Sequence, residues 1–162
     1  FQAGCEVFGY SSLAEVSQVI ALCVRSLQAL GYEDLGVDIG HIGFAQGLSE
    51  DKKQALLSGN YLEYGHIPPR GKRDVSDGNR DLESVYDGLV SEGLDKYVSI
   101  NQGLVKGYYY YTGVIFEVYV KGIREIVASG GQYDNLCKQF GYDQPALGFA
   151  INLNRLRGET HG

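Results

Sequence analysis

The sequence contains no methionine and no tryptophan, and it has only three prolines and three cysteines in 162 residues. Because there is no initiator methionine, we expect the interior and end of a longer protein, or a chain with segments missing. Cys5, Cys23 and Cys137 are odd in number and form no CxxC pair, which argues against a disulfide framework and against a zinc site. This cysteine usage suits a reducing cytoplasm.

Long apolar runs and positive charge are also scarce. No run approaches the length of a membrane span, and no signal peptide is visible. Lysine and arginine number 14 against 20 acidic residues, which gives a net charge of −6. Proteins that hold nucleic acid depend on basic side chains at the phosphates, so this balance argues against tRNA or DNA as a partner. The basic residues that do cluster are predicted to lie in a solvated loop; they are Arg70, Lys72, Arg73 and Arg80.

What is present is an ordinary globular composition, with 44% hydrophobic residues, and we expect one domain over residues 1–162. The glycine- and proline-rich stretch 59–80 is predicted to be a loop or an interrupted insertion. Period-two and period-3.6 patterns predict strands and helices that follow one another in groups. The strands are expected at 1–8, 35–39, 97–101, 110–120, 124–129 and 146–151, and the helices after Ser12, at 50–57 and at 81–89. This order favours an α+β fold, an antiparallel sheet flanked by helices.

Four adjacent tyrosines, residues 108–111, stand between two glycines and run into an apolar strand. Tyrosine combines a flat apolar ring with a hydroxyl that needs a partner when it is buried. Such rings at the head of a strand would form a wall for a flat, polar small molecule. A tyrosine-rich hairpin packed only for its area explains the same residues.

Gln2 and Glu6 lie four residues apart on the first predicted strand, so both side chains point to one face. An amide beside a carboxylate suits a primary ammonium group, although an exposed strand face would look the same. Gly130 and Gly131 are predicted to follow a strand and open a helix, where the backbone can approach a ligand. Asp38 and His41 make at most half of a metal site, so no metal is expected.

Four ordered segments resemble the histidyl-tRNA synthetase family: residues 2–9, 105–117, 128–136 and 146–156. The resemblance implies a class II aminoacyl-tRNA synthetase catalytic-domain fold, with the N-terminal part absent. It also implies a histidine pocket formed by Gln2, Glu6, Tyr110 and Tyr111. Further pocket candidates that it suggests are Lys106, Thr112, Gly130, Gly131, Tyr133 and Arg155, the last of which normally contacts ATP in this family.

The departures from the family pattern concern charged and small residues. Lys106 and Gln132 replace arginines, Tyr109 replaces an aspartate, Asn152 a glycine and Asn154 a glutamate. A guanidinium bridges a carboxylate and a phosphate through two parallel bonds, whereas a lysine offers one point charge. Loss of one such contact typically costs about 2–4 kcal/mol of transition-state stabilisation. The pattern therefore predicts a retained histidine pocket and a loss of efficient adenylation.

Within this family the chain looks most like the regulatory subunits of short-form ATP phosphoribosyltransferase. It stops just past residues 146–156, which resemble motif 3 of class II synthetases, so we expect no anticodon-binding domain. That resemblance implies a non-catalytic, cytoplasmic subunit without a cofactor. Its partners would be the catalytic subunit, L-histidine as a feedback ligand, and a second copy in a homodimer of the full-length chain. The first alternative is a histidyl-tRNA synthetase fragment that activates histidine with ATP. The second is a tyrosine-walled binding module unrelated to histidine.

Overall fold

Helix α1 (Leu13–Ala29) follows directly from the sequence pattern. It begins after Ser12, where the Glu15 carboxylate accepts hydrogen bonds from the backbone N–H groups of Ser11 and Ser12. These bonds lower the pKa of Glu15. Apolar residues at helical spacing, such as Ile20 and Leu27, are fully buried. Gly31 then takes a positive φ of 94°, which a glycine adopts without strain, and the chain leaves the helix as predicted.

The computed structural model describes residues 1–107 and 110–158. Seven strands are formed: β1 (Gln2–Phe8), β2 (Leu35–His41), β3 (Arg70–Gly71), β4 (Val98–Asn101), β5 (Val114–Val120), β6 (Ala128–Gln132) and β7 (Ala146–Asn152). The α-helices after α1 are α2 (Glu50–Leu57), α3 (Tyr61–Tyr64), α4 (Arg80–Ser91) and α5 (Leu153–Leu156), and short 3-10 turns cover Ile42–Ala45, Arg73–Ser76 and Cys137–Phe140.

The strands form one sheet in the order β1-β7-β6-β5-β2-β4-β3. The fold class is α+β, as predicted, but the sheet is mixed because β2 and β4 run parallel. The other pairs are antiparallel. A parallel pair needs a long crossover, and the chain between β2 and β4 supplies one through α2, α3 and α4.

The hydrophobic core lies between one face of the sheet and helices α1 and α4, which pack against each other. Every second residue of the central strands points into it, as in Val37, Phe116 and Phe149. The opposite face carries the intervening residues and is free of α1 and α4. That face is where the predicted site residues of β1 lie.

One local prediction was wrong, and one strand begins later than predicted. Gly130 and Gly131 do not open a helix after a strand, because both lie inside β6, where they pair with Phe116 and Ile115. The β5–β6 hairpin does turn at Lys121 and Gly122, where the N–H of Ile123 donates to the carbonyl of Val120 at 3.1 Å. Strand β6 begins at Ala128 rather than at residue 124. Residues 124–126 leave the sheet and meet helix α5, where Arg155 donates to the carbonyl of Ile126.

The segment 59–80 contains α3, the short edge strand β3 and a 3-10 turn. Its basic residues Arg70, Lys72, Arg73 and Arg80 are all exposed, and the first three also contact the rest of the protein. Arg70 makes a bidentate ion pair with Asp38. Lys72 donates to two main-chain carbonyls, and Arg73 pairs with two carboxylates of α4. These contacts fasten the segment to the sheet and to α4.

Candidate functional site

The face of the sheet opposite the helices forms a shallow groove with a floor of very small residues. The pairing places Gln2, Gly4 and Glu6 of β1 beside Asn152, Ala150 and Gly148 of β7. Ala150 and Gly148 in turn pair with Ser129 and Gly131 of β6. The next strand, β5, contributes Ile115 and Glu117. Because the two middle strands offer almost no side chains here, a small molecule has room to lie on the backbone.

Glu6 and Gln2 form the wall of this groove along β1. The Glu6 carboxylate lies directly over Gly148, where an added Cβ would come within 2.2 Å of Glu6 Oε2. Partial burial raises the pKa of Glu6, so a cationic partner would stabilise its charged form. Gln2 lines a hollow of about 280 Å³ with Ser129 and Asn152. The two side chains therefore share a face, as their spacing predicted.

Lys106 and Glu117 form the opposite wall. Lys106 Nζ lies 2.5 Å from Glu117 Oε1, and both side chains are about nine-tenths buried, with 10% and 11% exposed. The hydroxyl of Tyr119 donates to the other oxygen of Glu117 at 2.8 Å. From β1 to β5 the groove spans three interstrand spacings, roughly 14 Å.

Tyrosines close one end of the groove. The ring of Tyr133 meets those of Tyr110 and Tyr111 edge to face, with centroids 6.2 and 6.5 Å apart. Tyr133 is only 8% exposed, and its hydroxyl has no hydrogen-bond partner among residues 1–107 and 110–158. The other two tyrosines of the run, Tyr108 and Tyr109, lie outside the described residues. A buried hydroxyl without a partner costs stability, and a polar ligand atom would satisfy it.

A second hollow, of about 230 Å³, lies beside the tyrosines. Lys106, Tyr111 and Ile115 line it together with Leu104 and Gln46. This hollow therefore connects the side of the groove formed by Lys106 to the end formed by the tyrosines. A larger hollow of about 730 Å³ near Gln28 and Lys96 contains none of the predicted site residues, so size alone does not identify the site.

Three positions that the sequence analysis singled out have structural contacts and do not line the groove: Gly130, Thr112 and Gln132. A side chain at Gly130 would collide with the backbone of β7 and with Phe116 on the core side. The Thr112 hydroxyl accepts from the N–H of Asp134. Gln132, which stands where the family has arginine, is 6% exposed; its Oε1 accepts from Val114 N–H, and its Nε2 donates to the Tyr10 hydroxyl. These groups hold the tyrosine segment against β6.

Arg155 lies at the far end of the groove, next to Gln2. Its guanidinium pairs with Glu125 at 2.7 Å and donates to the carbonyl of Ile126. Asn152, in the place of a family glycine, caps α5 by accepting from Arg155 N–H at 3.2 Å. A nucleotide phosphate would have to compete with Glu125 for Arg155.

Sequence reasoning missed the carboxylates in the centre of the face. Asp38 lies directly opposite Glu117 on the neighbouring strand, and Arg70 and Asn101 hydrogen-bond to it. The signal was available in β5, where Glu117 and Tyr119 interrupt an apolar run with period two. This pattern indicated that one face of β5 is polar, but it did not indicate which residues Glu117 and Asp38 contact.

The described part of the chain shows no cluster of three or more histidine, cysteine, aspartate or glutamate residues arranged to hold a metal ion. Within the same residues, no helix has the length and apolar character needed to cross a membrane.

Comparison with known proteins identifies the family. The model of the family described as "Histidyl-tRNA synthetase" matches residues 1–60 and 69–156. Curated relatives include the ATP phosphoribosyltransferase regulatory subunits of Halothermothrix orenii, 31% identical over 97% of this chain and 47% of the relative, and of Moorella thermoacetica, 33% identical over 98% and 52%. The chain thus spans about half the length of these relatives.

Solved structures agree on the fold. An ATP phosphoribosyltransferase regulatory subunit/histidyl-tRNA synthetase from Bacillus halodurans superposes with a TM-score of 0.86 at 26% identity, over 99% of this chain and 53% of that one. The histidyl-tRNA synthetase of Nostoc shares the fold, with a TM-score of 0.78 at 23% identity, over 97% and 49%. The chain therefore belongs to the histidyl-tRNA synthetase family, in which it resembles ATP phosphoribosyltransferase regulatory subunits.

Proposed function

We propose that this chain is part of a non-catalytic regulatory subunit of ATP phosphoribosyltransferase and that its open sheet face binds histidine for feedback control of histidine biosynthesis. The observation that carries the proposal is the similarity to curated regulatory subunits over nearly the whole chain. The groove supports it with an amide and a carboxylate on one side and a lysine on the other.

Histidine has three recognition elements, and the groove offers a counterpart for each. Glu6 and Gln2 suit the ammonium group, since burial raises the pKa of Glu6 and a cation beside it would stabilise the carboxylate. Lys106 suits the carboxylate. Tyr110, Tyr111 and the hydroxyl of Tyr133, which has no hydrogen-bond partner in the described part of the chain, suit the imidazole, a flat ring with polar nitrogens.

The proposed loss of adenylation is supported by the contacts of two replaced positions, Lys106 and Gln132, and of the retained Arg155. Lys106 is held by Glu117, Gln132 is committed to Val114 and Tyr10, and Arg155 is paired with Glu125. During amino-acid activation, negative charge develops on the α-phosphate of ATP. None of these three side chains presents a free guanidinium that could stabilise this charge. We therefore propose that the groove binds histidine without activating it with ATP.

The partner in this proposal is the catalytic subunit of ATP phosphoribosyltransferase. The proposal includes a homodimer of the full-length protein and a cytoplasmic location. Histidine would change the activity of the partner only if it binds two states of the complex with unequal affinity.

The test is to measure ATP phosphoribosyltransferase activity of the short catalytic subunit with and without the full-length protein while histidine is titrated. Activity that appears on mixing and falls as histidine rises is the expected result. If mixing has no effect and the protein instead catalyses histidine-dependent ATP–pyrophosphate exchange, the synthetase alternative is correct.

A further inference from the structure

We propose that Glu117 is an internal competitor for the carboxylate of the ligand: it holds Lys106 while the groove is empty and releases it when histidine binds. This inference rests on the histidine site proposed above and adds a residue that sets its affinity and specificity. Neither the spacing of the family segments nor the comparisons assign a role to Glu117.

The geometry makes Lys106 the cation at issue. Its ammonium lies over the groove face at 2.5 Å from Glu117, and its side chain also lines the hollow that contains Tyr111. With only 10% of the side chain exposed, Lys106 requires an anionic partner in the empty site. A ligand carboxylate that enters this hollow reaches the same ammonium group.

The neighbouring ion pair shows why Glu117, rather than Asp38, is the exchangeable carboxylate. Asp38 accepts a bidentate pair from Arg70 and a further bond from Asn101. Among the described residues, Glu117 contacts one cation, Lys106, and one neutral donor, the Tyr119 hydroxyl. Glu117 can lose Lys106 and remain hydrogen-bonded, whereas Asp38 is held on several sides.

Lysine chemistry suits such an exchange. Its ammonium is a point charge on a flexible stem with three rotatable donors, so it can turn from one carboxylate to another at little geometric cost. A guanidinium locked in a fork with Glu117 would not turn as easily. Because binding breaks an existing ion pair, the net affinity for histidine is lower than the contacts alone would provide.

The test uses Glu117→Gln in the full-length protein, with calorimetric titration of histidine and of histamine, which has no carboxylate. Gln keeps the shape of the side chain but not its charge. We expect the variant to melt at a lower temperature without ligand and to bind histidine about tenfold more tightly, with histamine affinity unchanged. The matched control is Asp38→Asn, which also removes a buried carboxylate from the face. It should lower the melting temperature and leave the ratio of histidine to histamine affinity as in the wild type.

A second variant tests the proposal if Glu117→Gln fails to fold. Tyr119→Phe removes the neutral donor to Glu117, which tightens its hold on Lys106, so histidine affinity should fall about threefold while histamine affinity stays unchanged. Unchanged selectivity in both variants, with normal histidine binding by the wild type, overturns the competitor role and leaves the proposed function intact. A wild type that binds neither compound overturns the proposed function and this inference together.

Discussion

The Glu6 carboxylate lies over the α-carbon of Gly148, on the adjacent strand, with no room between them for a methyl group. An added Cβ at position 148 would lie 2.2 Å from Glu6 Oε2 and 2.5 Å from the carbonyl oxygen of Cys5. Because residue 148 has no side chain, the Glu6 carboxylate can pack directly against the backbone of β7. Its absence of a side chain is a requirement of the site as well as of the sheet.

Gly148→Ala should therefore damage both stability and ligand binding. Forcing a methyl group against a backbone carbonyl typically costs about 1–3 kcal/mol of unfolding free energy, and Glu6 must move away from the ligand. Urea denaturation and histidine titration measure the two effects. Gly36→Ala is the control, because its nearest contact would be at 3.9 Å. Equal stability of the two variants would contradict this account.

Tyr133→Phe should leave the ligand-free protein as stable as the wild type, or up to about 1 kcal/mol more stable, because the hydroxyl that it removes is buried without a described partner. The same change should weaken histidine binding about 5- to 10-fold if the ligand hydrogen-bonds to that hydroxyl. Thermal melting with and without histidine separates the effects. In the control, Tyr32→Phe, the lost hydroxyl donates to the carbonyl of Leu156, so stability should fall. Destabilisation of the empty protein by Tyr133→Phe would show that the hydroxyl is already paired.

Restoring the family arginine by Gln132→Arg should destabilise the protein by about 2–4 kcal/mol. The change buries a charge and deprives Val114 N–H of its acceptor. Chemical denaturation gives the free energy of unfolding. Tyr10→Phe removes only the group that accepts from Gln132 Nε2 and donates to Asp134, and we expect a smaller loss of about 1–2 kcal/mol. A Gln132→Arg protein as stable as the wild type would mean that position 132 opens to the groove.

His41 should make stability depend on pH below its ordinary pKa of 6.5. Burial lowers the pKa of His41, and Asp81, whose carboxylate lies 3.6 Å away, only partly offsets this. The unfolded chain then binds a proton more readily than the folded one, so the free energy of unfolding falls as the pH drops through this window. His41→Asn should remove this part of the pH dependence, while Asn can still accept from Gly43 N–H as His41 does. Parallel curves for the two proteins between pH 7.5 and 5.5 would refute the shift.

Cys23 should stay unreactive until the protein unfolds. Its side chain is fully buried, and burial raises the pKa of its thiol to about 12, so almost no thiolate exists at neutral pH. A disulfide reagent should label the half-buried Cys5 and Cys137 in the native protein and the third thiol only in denaturant. Cys23→Ala should abolish the denaturant-dependent step alone. Labelling of three thiols at one rate in native buffer would contradict the packing of α1.

Helical periodicity and capping residues predicted α1 and α4 well, because both depend on residues within one or two turns. The period of two likewise placed Gln2 and Glu6 on one face of β1. These are local relationships, so they can be recognised in the sequence without knowledge of the rest of the fold.

The sequence did not predict the contacts between elements. Lys106 meets Glu117 across eleven residues of sequence, and Asp38 meets both Arg70 and Glu117 on other strands. The parallel pairing of β2 with β4 and the placement of Gly130 inside β6 were also not predicted. A strand pattern states which side chains share a face, but any strand with a buried face can be its neighbour. Strand order and register follow from packing the whole core against α1 and α4, so the tertiary structure alone decided which charges meet in the groove.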